Sequence, residues 1–247
     1  MCIIMNSRGD NVQRVVLVTG ASRGLGASIA KLFLENNDVV YINYNQSKIE
    51  AENLCKNYEL AIPIKCDVSS EEEIKAMIEK IKEEQGHLDI IINNAGIAKD
   101  SLVEDKTKET FMSVLETNLI GAFLVCKYGR KIMDKGCIIN ISSTNGIDTY
   151  YPYSLDYDAS KVGLISLTHN LAVEYAPHIR VNVVAPGWMN TDMNKELDGE
   201  FKKEECDKIL LNRFAEPAEI AKVVFFLCSD DASYINGTII RVDGGLK

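Results

Sequence analysis

The chain carries the sequence Thr19-Gly20-Ala21-Ser22-Arg23-Gly24-Leu25-Gly26 directly after the apolar run Val15–Val18. Glycines let the backbone turn sharply at the end of a strand, and the free amide groups at a helix start favour an anion. The stretch therefore predicts a strand, a turn that can hold a pyrophosphate, and a helix. A plain strand-to-helix connection is the alternative, because three residues separate Gly20 from Gly24 where a G-x-G-x-x-G turn has one.

Short β-branched runs alternate with longer amphipathic runs along the chain, which is typical of a parallel sheet joined by crossover helices. Strands are expected at Val15–Thr19, Val39–Asn43, Ile62–Cys66, Ile90–Asn93, Cys137–Ser142, Arg180–Val184 and Thr238–Val242. Helices are expected at Leu25–Glu35, Lys48–Tyr58, Glu71–Gln85, Lys108–Met133, Tyr157–Tyr175 and Ala218–Cys228. We predict one α/β domain over residues 13–247, a Rossmann-like doubly wound seven-stranded parallel sheet with helices on both faces. We expect residues 1–12 to be a short extension before this domain.

The segment Trp188–Phe214 interrupts this alternation. It is polar, and Glu200–Leu211 favours a helix. Since it follows a strand of the predicted sheet, we expect it to be a flap over a substrate site at the carboxyl ends of the strands.

The composition is that of a soluble globular protein, with 46% apolar and 26% charged residues among 247. A net charge of −9 argues against a nucleic-acid partner, since phosphate contacts need clustered Lys and Arg. The longest apolar stretches, such as Val223–Cys228, are too short to cross a bilayer, and residues 1–11 lack the apolar core of a secretory signal. We therefore expect a cytoplasmic protein with no membrane partner. Seven scattered cysteines argue against a metal site.

The glycine turn and five later positions resemble the short-chain dehydrogenase/reductase family. The family pattern Thr-Gly-x-x-x-Gly-x-Gly is met at residues 19–26. The later positions in register with the family are Asp67-Val68, Asn93-Asn94-Ala95-Gly96, Asn118, Ser143 and Pro186-Gly187. The resemblance runs from Val15 to Gly245 and implies an NAD(P)-dependent oxidoreductase acting on a carbonyl or alcohol.

Carried onto this sequence, the resemblance implies a cofactor site and a catalytic group. The cofactor-binding residues are Gly20, Ser22, Arg23, Gly24, Leu25, Gly26, Asn43, Asp67, Val68, Asn94, Ala95, Gly96, Tyr157, Lys161, Pro186, Gly187 and Thr191. The catalytic residues are Ser143, Tyr157, Lys161 and Asn118.

Tyr157 and Lys161 are four residues apart in a predicted helix and therefore share one face. A nearby ammonium favours the phenolate, so we expect Lys161 to lower the pKa of Tyr157 and make it a proton shuttle. Tyr44 and Lys48 have the same spacing. Position favours Tyr157, because it follows the strand end that carries Ser142 and Ser143, whereas Tyr44 has no serine partner upstream.

Two assignments in the catalytic group each have an alternative. Alignment of the strand end on the family favours Ser143 over its neighbour Ser142 as the residue that bonds the substrate oxygen. Asn118 can be a helix-bend residue, or, as the resemblance implies, a backbone-bonded anchor for a water relay to Lys161.

Other activities fit less well. A serine hydrolase needs a histidine near its serine, yet His87 and His178 fall at expected connections and His169 lies in mid-helix. A non-catalytic dinucleotide-binding sensor is a second alternative, because fold does not determine function. The presence of serine, tyrosine and lysine together favours an enzyme.

The end of the second strand decides which cofactor is preferred. NAD-selective relatives place an acidic residue there, and this chain has Asn43. Arg23, with Asn45 or Lys48, can pair with a 2′-phosphate, so we expect NADP(H) to be preferred, with NAD(H) possible.

The last part of the chain resembles bacterial 3-oxoacyl-acyl-carrier-protein reductases, which are tetramers of fatty-acid biosynthesis. The matching segments are Arg213–Ala221, Tyr234–Gly237 and Val242–Gly245. The resemblance implies a substrate held on acyl-carrier protein and a homotetramer, with Ala218–Cys228 and the last strand at an interface. Asp134 and Val173 stand where those reductases carry arginines, although Arg130, Lys131 and Lys135 can form a basic patch. A small ketone, sugar or polyol is the alternative substrate.

Overall fold

All seven described strands lie in one parallel sheet. The computed structural model describes residues 13–191, 194 and 197–246. The strands are β1 (Val15–Val18), β2 (Val39–Tyr44), β3 (Ala61–Lys65), β4 (Ile90–Asn93), β5 (Gly136–Ile141), β6 (Ile179–Pro186) and β7 (Ile239–Val242). Their order is β3-β2-β1-β4-β5-β6-β7. The predicted fold class is confirmed, and the predicted extension over residues 1–12 lies outside the described residues.

Helices cover both faces of the sheet. They are α1 (Gly24–Leu34), α2 (Lys48–Cys55), α3 (Glu71–Gln85), α4 (Lys108–Leu115), α5 (Gly121–Gly129), α6 (Leu155–Glu174), α7 (Gly199–Lys208) and α8 (Pro217–Leu227). Val16 and Val18 of β1 pack in the apolar cluster that contains α1, α2 and α8. Val15 and Leu17 pack in the cluster that contains α3, α5 and α6. Because both faces of β1 are buried, its sequence is continuously apolar.

The predicted helix Lys108–Met133 is wrong in one respect. Between α4 and α5 the helix widens into a π turn over Glu116–Ile120, where the amide of Gly121 donates to the carbonyl of Glu116. The run ends in a 3-10 turn at Arg130–Ile132. One extra residue in a helical turn leaves the local pattern of apolar residues intact, which is why the sequence predicted a regular helix.

The same helical run, Lys108–Ile132, is long and apolar enough to cross a membrane by length and composition, with a mean hydropathy of 1.3. In the folded chain, Leu124, Val125 and Cys126 are buried in the core beside α3. A core helix of a soluble domain passes the same test of length and composition.

The chain order reverses at β1, which pairs with β2 on one side and with β4 on the other. In open parallel sheets, ligands bind beyond the carboxyl ends of the strands at such a reversal. The turns after β1, β4 and β5 all emerge at this edge, so the sheet brings the predicted site residues to one place.

Candidate active site

The turn after β1 is built around two glycines with a left-handed backbone. Gly20 has φ +61° and Gly24 has φ +57°. A Cβ on Gly20 would lie 2.9 Å from the Cα of Ala95, so the turn packs directly on the segment after β4. Gly24 faces Thr191, since a Cβ there would lie 3.9 Å from the Cβ of Thr191. The turn therefore opens toward the segment that follows β6.

Asn94 braces the glycine turn from the neighbouring strand end. Its Nδ2 donates to the carbonyls of Thr19 (3.0 Å) and Gly20 (3.1 Å). The Thr19 hydroxyl oxygen accepts from the amides of Asn94 and Ala95, both at 3.0 Å. Both Asn94 and Ala95 thus contribute to the predicted cofactor site by fixing its shape.

The direct cofactor role expected for Asn43 is not what its contacts indicate. Asn43 is 1% exposed, its Oδ1 accepts from the amide of Gly20 (3.1 Å), and its Nδ2 donates to the carbonyl of Cys66 (3.0 Å). Because β2 is buried on both faces, the last polar residue of the strand points inward and stabilises the glycine turn. Asn45 lies on the surface, where its Nδ2 donates to Asp67 Oδ2 (2.9 Å).

The remaining predicted cofactor residues surround the start of α1. Arg23 is exposed and precedes α1 without capping it by its own side chain. Ser22 is half-buried, whereas Leu25 and Gly26 are buried in the first turn of the helix. The first amides of an uncapped helix are free to bind an anion.

Other predicted positions line the edge beyond β3 and β6. Val68 is buried, and Asp67 is half-buried after β3, where Asn45 and Ser69 donate to its carboxylate. The pKa of Asp67 lies below its usual value, because these hydrogen bonds outweigh partial burial. Pro186 ends β6 and pairs with Val242, and the amide of Gly187 donates to the Val242 carbonyl (3.1 Å).

Tyr157 and Lys161 lie on one face of α6, which starts two residues earlier than predicted. The Lys161 Nζ lies 5.3 Å from the centre of the Tyr157 ring. It donates to the carbonyl of Ile141 at the end of β5 (2.8 Å). Lys161 is 4% exposed and Tyr157 is half-buried.

The pKa values of this pair differ from the sequence-based expectation. Burial raises the pKa of Tyr157 to about 12, the Ser143 hydroxyl opposes this rise, and the carboxylates of Asp158 and Asp100 add to it. Burial lowers the pKa of Lys161 to about 8. The net pKa of Tyr157 therefore lies above its usual value and not below it as expected, because burial outweighs the effect of the ammonium that lies over the ring.

The two adjacent serines have separate surroundings. Ser142 is 3% exposed, and its hydroxyl donates to the carbonyl of Lys161 (3.0 Å). Ser143 is half-buried, and its hydroxyl opposes the rise in the pKa of the Tyr157 phenol. This placement favours Ser143 as the residue that meets a substrate.

Asn118 lies within the π turn and connects three parts of the site. Its Oδ1 accepts from the amide of Ile97 (2.8 Å), and its Nδ2 donates to the Ile97 carbonyl (3.0 Å) and to the Ser160 hydroxyl (3.0 Å). Gly96 lies between Asn118 and Lys161, since a Cβ there would be 3.4 Å from Asn118 Oδ1 and 3.6 Å from Lys161 Nζ. Asn118 is thus both a helix-bend residue and a backbone-bonded anchor.

Known proteins are similar to this chain over nearly its whole length. The family model described as enoyl-(acyl carrier protein) reductase matches residues 20–247. The 3-oxoacyl-[acyl-carrier-protein] reductase of Chlamydia muridarum is 38% identical over 243 residues, covering 95% of this chain and 98% of the relative. That of Aquifex aeolicus is 39% identical, with 94% and 97% covered. A solved short chain dehydrogenase from Burkholderia cenocepacia, in complex with NADP, is 30% identical, with a TM-score of 0.90 and 96% and 99% covered.

The chain belongs to the short-chain dehydrogenase/reductase family. The predicted resemblance and the predicted oxidoreductase class are thereby confirmed. The family model and the relatives differ in the name of the reaction, since one describes an enoyl reductase and the others 3-oxoacyl reductases. Both names describe reductases of thioesters carried by acyl-carrier protein.

The predicted flap of this short-chain dehydrogenase/reductase is joined at its base by two aromatic residues. The rings of Trp188 and Phe214 stack with centroids 5.4 Å apart. The Trp188 Nε1 donates to Glu205 of α7 (2.9 Å), and its ring meets Phe201 edge-on. The helix-prone part of the flap is α7, which begins one residue before the predicted start and ends three residues earlier. The described part of the flap thus folds back on its own entry point.

Two polar groups beside Tyr157 were missed by sequence reasoning. Lys106 and Asp156 form a buried ion pair (2.8 Å), and the same carboxylate oxygen accepts from the Tyr157 amide (2.9 Å). Asp158 accepts from Asn145 Nδ2 (2.7 Å) in the loop after β5. In the sequence of this short-chain dehydrogenase/reductase, these contacts are indicated only by the polar residues near Ser143 and Tyr157. Their spacing along the chain does not show which polar residue pairs with which.

Proposed function

We propose that this chain is an NADPH-dependent reductase that transfers hydride to the ketone of a 3-oxoacyl thioester on acyl-carrier protein. The observation that carries the proposal is the similarity to 3-oxoacyl-[acyl-carrier-protein] reductases across at least nine-tenths of both chains. Such a reaction belongs to fatty-acid biosynthesis. The gathering of Ser143, Tyr157 and Lys161 at one edge of the sheet supplies the groups that carbonyl reduction needs.

The turn after β1 fits a dinucleotide. Gly20 and Gly24 keep side chains out of the space in front of the helix, and the uncapped start of α1 offers amide groups to a pyrophosphate. Thr191 and Gly187 would close the opposite side, and Lys161 would hold the ribose hydroxyls next to the nicotinamide. When bound, NADPH supplies the hydride.

Tyr157 is the proton donor. A pKa of about 12 keeps its phenol protonated at neutral pH, which is the form that can donate to an oxygen becoming alkoxide. The Ser143 hydroxyl stabilises the same oxygen by a hydrogen bond. Lys161 places a positive charge at the Tyr157 ring and so stabilises the phenolate that forms when the proton leaves. Asn118, held by Ile97, anchors a proton path toward Lys161.

NADP(H) is preferred over NAD(H). Arg23 is exposed beside the glycine turn, and Asn45, the first surface residue after β2, is uncharged. A 2′-phosphate can pair with Arg23 without meeting a carboxylate at residue 45. The solved relative from Burkholderia cenocepacia is in complex with NADP, which supports the same choice.

The rim of the site suits an acyl chain. Tyr150, Tyr153 and Leu155 precede Tyr157 and are 82%, 44% and 40% exposed. Docking of an acidic carrier would depend on Lys131 and Lys135. Arg130 is engaged elsewhere, because it donates to the Met133 carbonyl (2.7 Å) and its guanidinium lies over the Tyr175 ring.

The deciding experiment measures NADPH oxidation with four substrates in parallel. They are acetoacetyl-acyl-carrier protein, acetoacetyl-coenzyme A, the crotonyl thioester of the same carrier, and a small diketone. We expect the highest kcat/KM with acetoacetyl-acyl-carrier protein, decreasing as salt screens the lysines. Preference for the crotonyl thioester would favour the enoyl reductase named by the family model. A diketone turned over as well as the carrier substrate would overturn the proposal in favour of a general carbonyl reductase.

The working assembly is a homotetramer in the cytoplasm. β7 is an edge strand of the sheet, and Phe226 near the end of α8 is 45% exposed. An open strand edge and an exposed aromatic ring each suit a symmetric contact with a second copy. Light scattering after gel filtration should give four times 27.5 kDa for the native chain and less for Phe226→Asp. Ile49→Asp is the control, since Ile49 is 70% exposed on α2. An unchanged mass for Phe226→Asp would exclude this interface.

A further inference from the structure

The Ser143 hydroxyl is held by a neighbour two residues further along the chain. The backbone amide of Asn145 donates to Ser143 Oγ (3.2 Å), and Ser143 Oγ donates to Asn145 Oδ1 (3.1 Å). Both residues are half-buried in the 3-10 turn that follows β5. The orientation of the serine therefore depends on that of the asparagine amide.

Asp158 determines how that amide is turned. A carboxylate only accepts hydrogen bonds, so the NH₂ group of Asn145 must face Asp158 Oδ1 (2.7 Å) and its oxygen must face Ser143. Asp158 is itself held, because the Tyr151 amide donates to its second oxygen (3.3 Å). Asp158 follows Tyr157 in the first turn of α6. The chain Asp158, Asn145, Ser143 thus ties the loop after β5 to the helix that carries Tyr157.

We propose that Asn145 and Asp158 are positioning residues, which set the direction of the Ser143 hydroxyl and hold it in register with Tyr157 for one substrate oxygen. The role rests on the proposed reductase function. Before substrate arrives, Asn145 Oδ1 keeps the serine proton, while the Asn145 amide occupies one lone pair of Ser143 Oγ. When a substrate carbonyl approaches, the Ser143 hydroxyl proton turns from Asn145 Oδ1 to the substrate oxygen, and the side chain does not have to change its rotamer. Preorganisation of this kind reduces the barrier to reaction.

Asp158 has a second effect through its charge. The groups that face the Tyr157 phenol or ring are Ser143 from the loop, Asp100 from the segment after β4, and Asp158 and Lys161 from α6. The negative charge of Asp158 disfavours the phenolate. Removal of that charge should therefore lower the pKa of Tyr157, whereas loss of Asn145 alone should leave the charge in place.

The first test exchanges the two side chains. Asn145→Asp puts two carboxylates face to face and should reduce kcat roughly tenfold to a hundredfold, with the KM for NADPH unchanged. Asn145→Asp combined with Asp158→Asn restores one amide and one carboxylate, so it should recover most of kcat. Asn170→Ala, an exposed asparagine on the same helix, is the control. A double variant no better than Asn145→Asp alone would overturn the proposal, as would an Asn145→Ala enzyme with native kcat.

The second test needs no turnover. The phenolate absorbance near 295 nm, taken as a difference against Tyr157→Phe, titrates Tyr157 directly, and Asp158→Asn should move its midpoint to lower pH. Asp148→Asn is the matched control, because it also removes one carboxylate charge, from the loop after β5, where Asp148 pairs with Arg241 (2.6 Å). An unmoved midpoint contradicts the charge effect. Absence of ketone reduction by the native chain would contradict the proposed function, while leaving this titration and the fold of each variant measurable.

Discussion

The Lys161 Nζ lies over the Tyr157 ring, 5.3 Å from its centre, and donates to the Ile141 carbonyl rather than to the phenol. The charge of Lys161 therefore acts on Tyr157 through the ring face, and it acts only while the amine is protonated.

Reduction should lose rate as pH rises through about 8. Burial lowers the pKa of Lys161 to about 8, so above that value the amine is neutral and no longer stabilises the Tyr157 phenolate. Tyr157 keeps its proton over this range, because its pKa is about 12. The test is kcat/KM for NADPH-dependent reduction between pH 6 and 10. A rate that stays constant to pH 10 would exclude Lys161 as the titrating group.

Tyr157→Phe should lose turnover and keep its fold. The change removes the hydroxyl that donates the proton and leaves the ring in place, so we expect kcat to fall by about a hundredfold or more while NADPH binding is unchanged. Steady-state rates and the fluorescence change of bound NADPH measure the two effects. Tyr44→Phe is the control, because Tyr44 has the same spacing to a lysine but packs in the core. An active Tyr157→Phe enzyme would end the proposed mechanism.

Arg23→Ala should weaken binding of NADPH without affecting NADH. A charge-assisted bond to the 2′-phosphate is worth about 1.5–3 kcal/mol, which corresponds to a loss of about tenfold or more in affinity. The measurement is the KM for each cofactor. Lys31→Ala removes an exposed charge from α1, the helix that follows Arg23, and should change neither value. Equal weakening of both cofactors would assign Arg23 to the shared pyrophosphate instead.

Asn43→Asp should destabilise the fold rather than switch the cofactor. Asn43 Nδ2 donates to the Cys66 carbonyl, and a buried carboxylate there would face that oxygen with no proton to offer. The expected loss is at least about 2 kcal/mol of the free energy of unfolding, measured by urea denaturation. Asn57→Asp, at an exposed position after α2, is the control. A stable Asn43→Asp enzyme that prefers NADH would restore the direct role first expected for Asn43.

The sequence predicted the strands closely because both faces of the sheet are buried. Val15–Val18 and residues 90–92 are continuous apolar runs, which is typical of a central strand buried on both faces. The same burial explains why the direct cofactor role predicted for Asn43 does not agree with its contacts. In a strand covered on both sides, alternation along the sequence does not show which polar residue faces outward, and the inward-facing one was assigned to the cofactor.

The catalytic positions were predictable and their electrostatics were not. Tyr157 and Lys161 are related by helical spacing, which a sequence displays directly. The pairing of Asn145 with Asp158 depends on a loop folding back on a helix, which spacing does not reveal. The raised pKa of Tyr157 likewise depends on burial and on Asp100, a residue 57 positions earlier in the chain.

The π turn at Glu116–Ile120 replaces regular α-helical hydrogen bonds and places Asn118 beside Ile97 and Ser160. Deletion of one residue there would restore ordinary α-helical hydrogen bonds and rotate Asn118 by about 100° away from one of its neighbours, Ile97 or Ser160. A regular α-helix at this place would have ordinary backbone hydrogen bonds, but it would not keep Asn118 in contact with both of its partners. A ranking of variants of this chain by melting temperature alone therefore puts no constraint on that turn, and each stabilised variant needs a separate measurement of turnover.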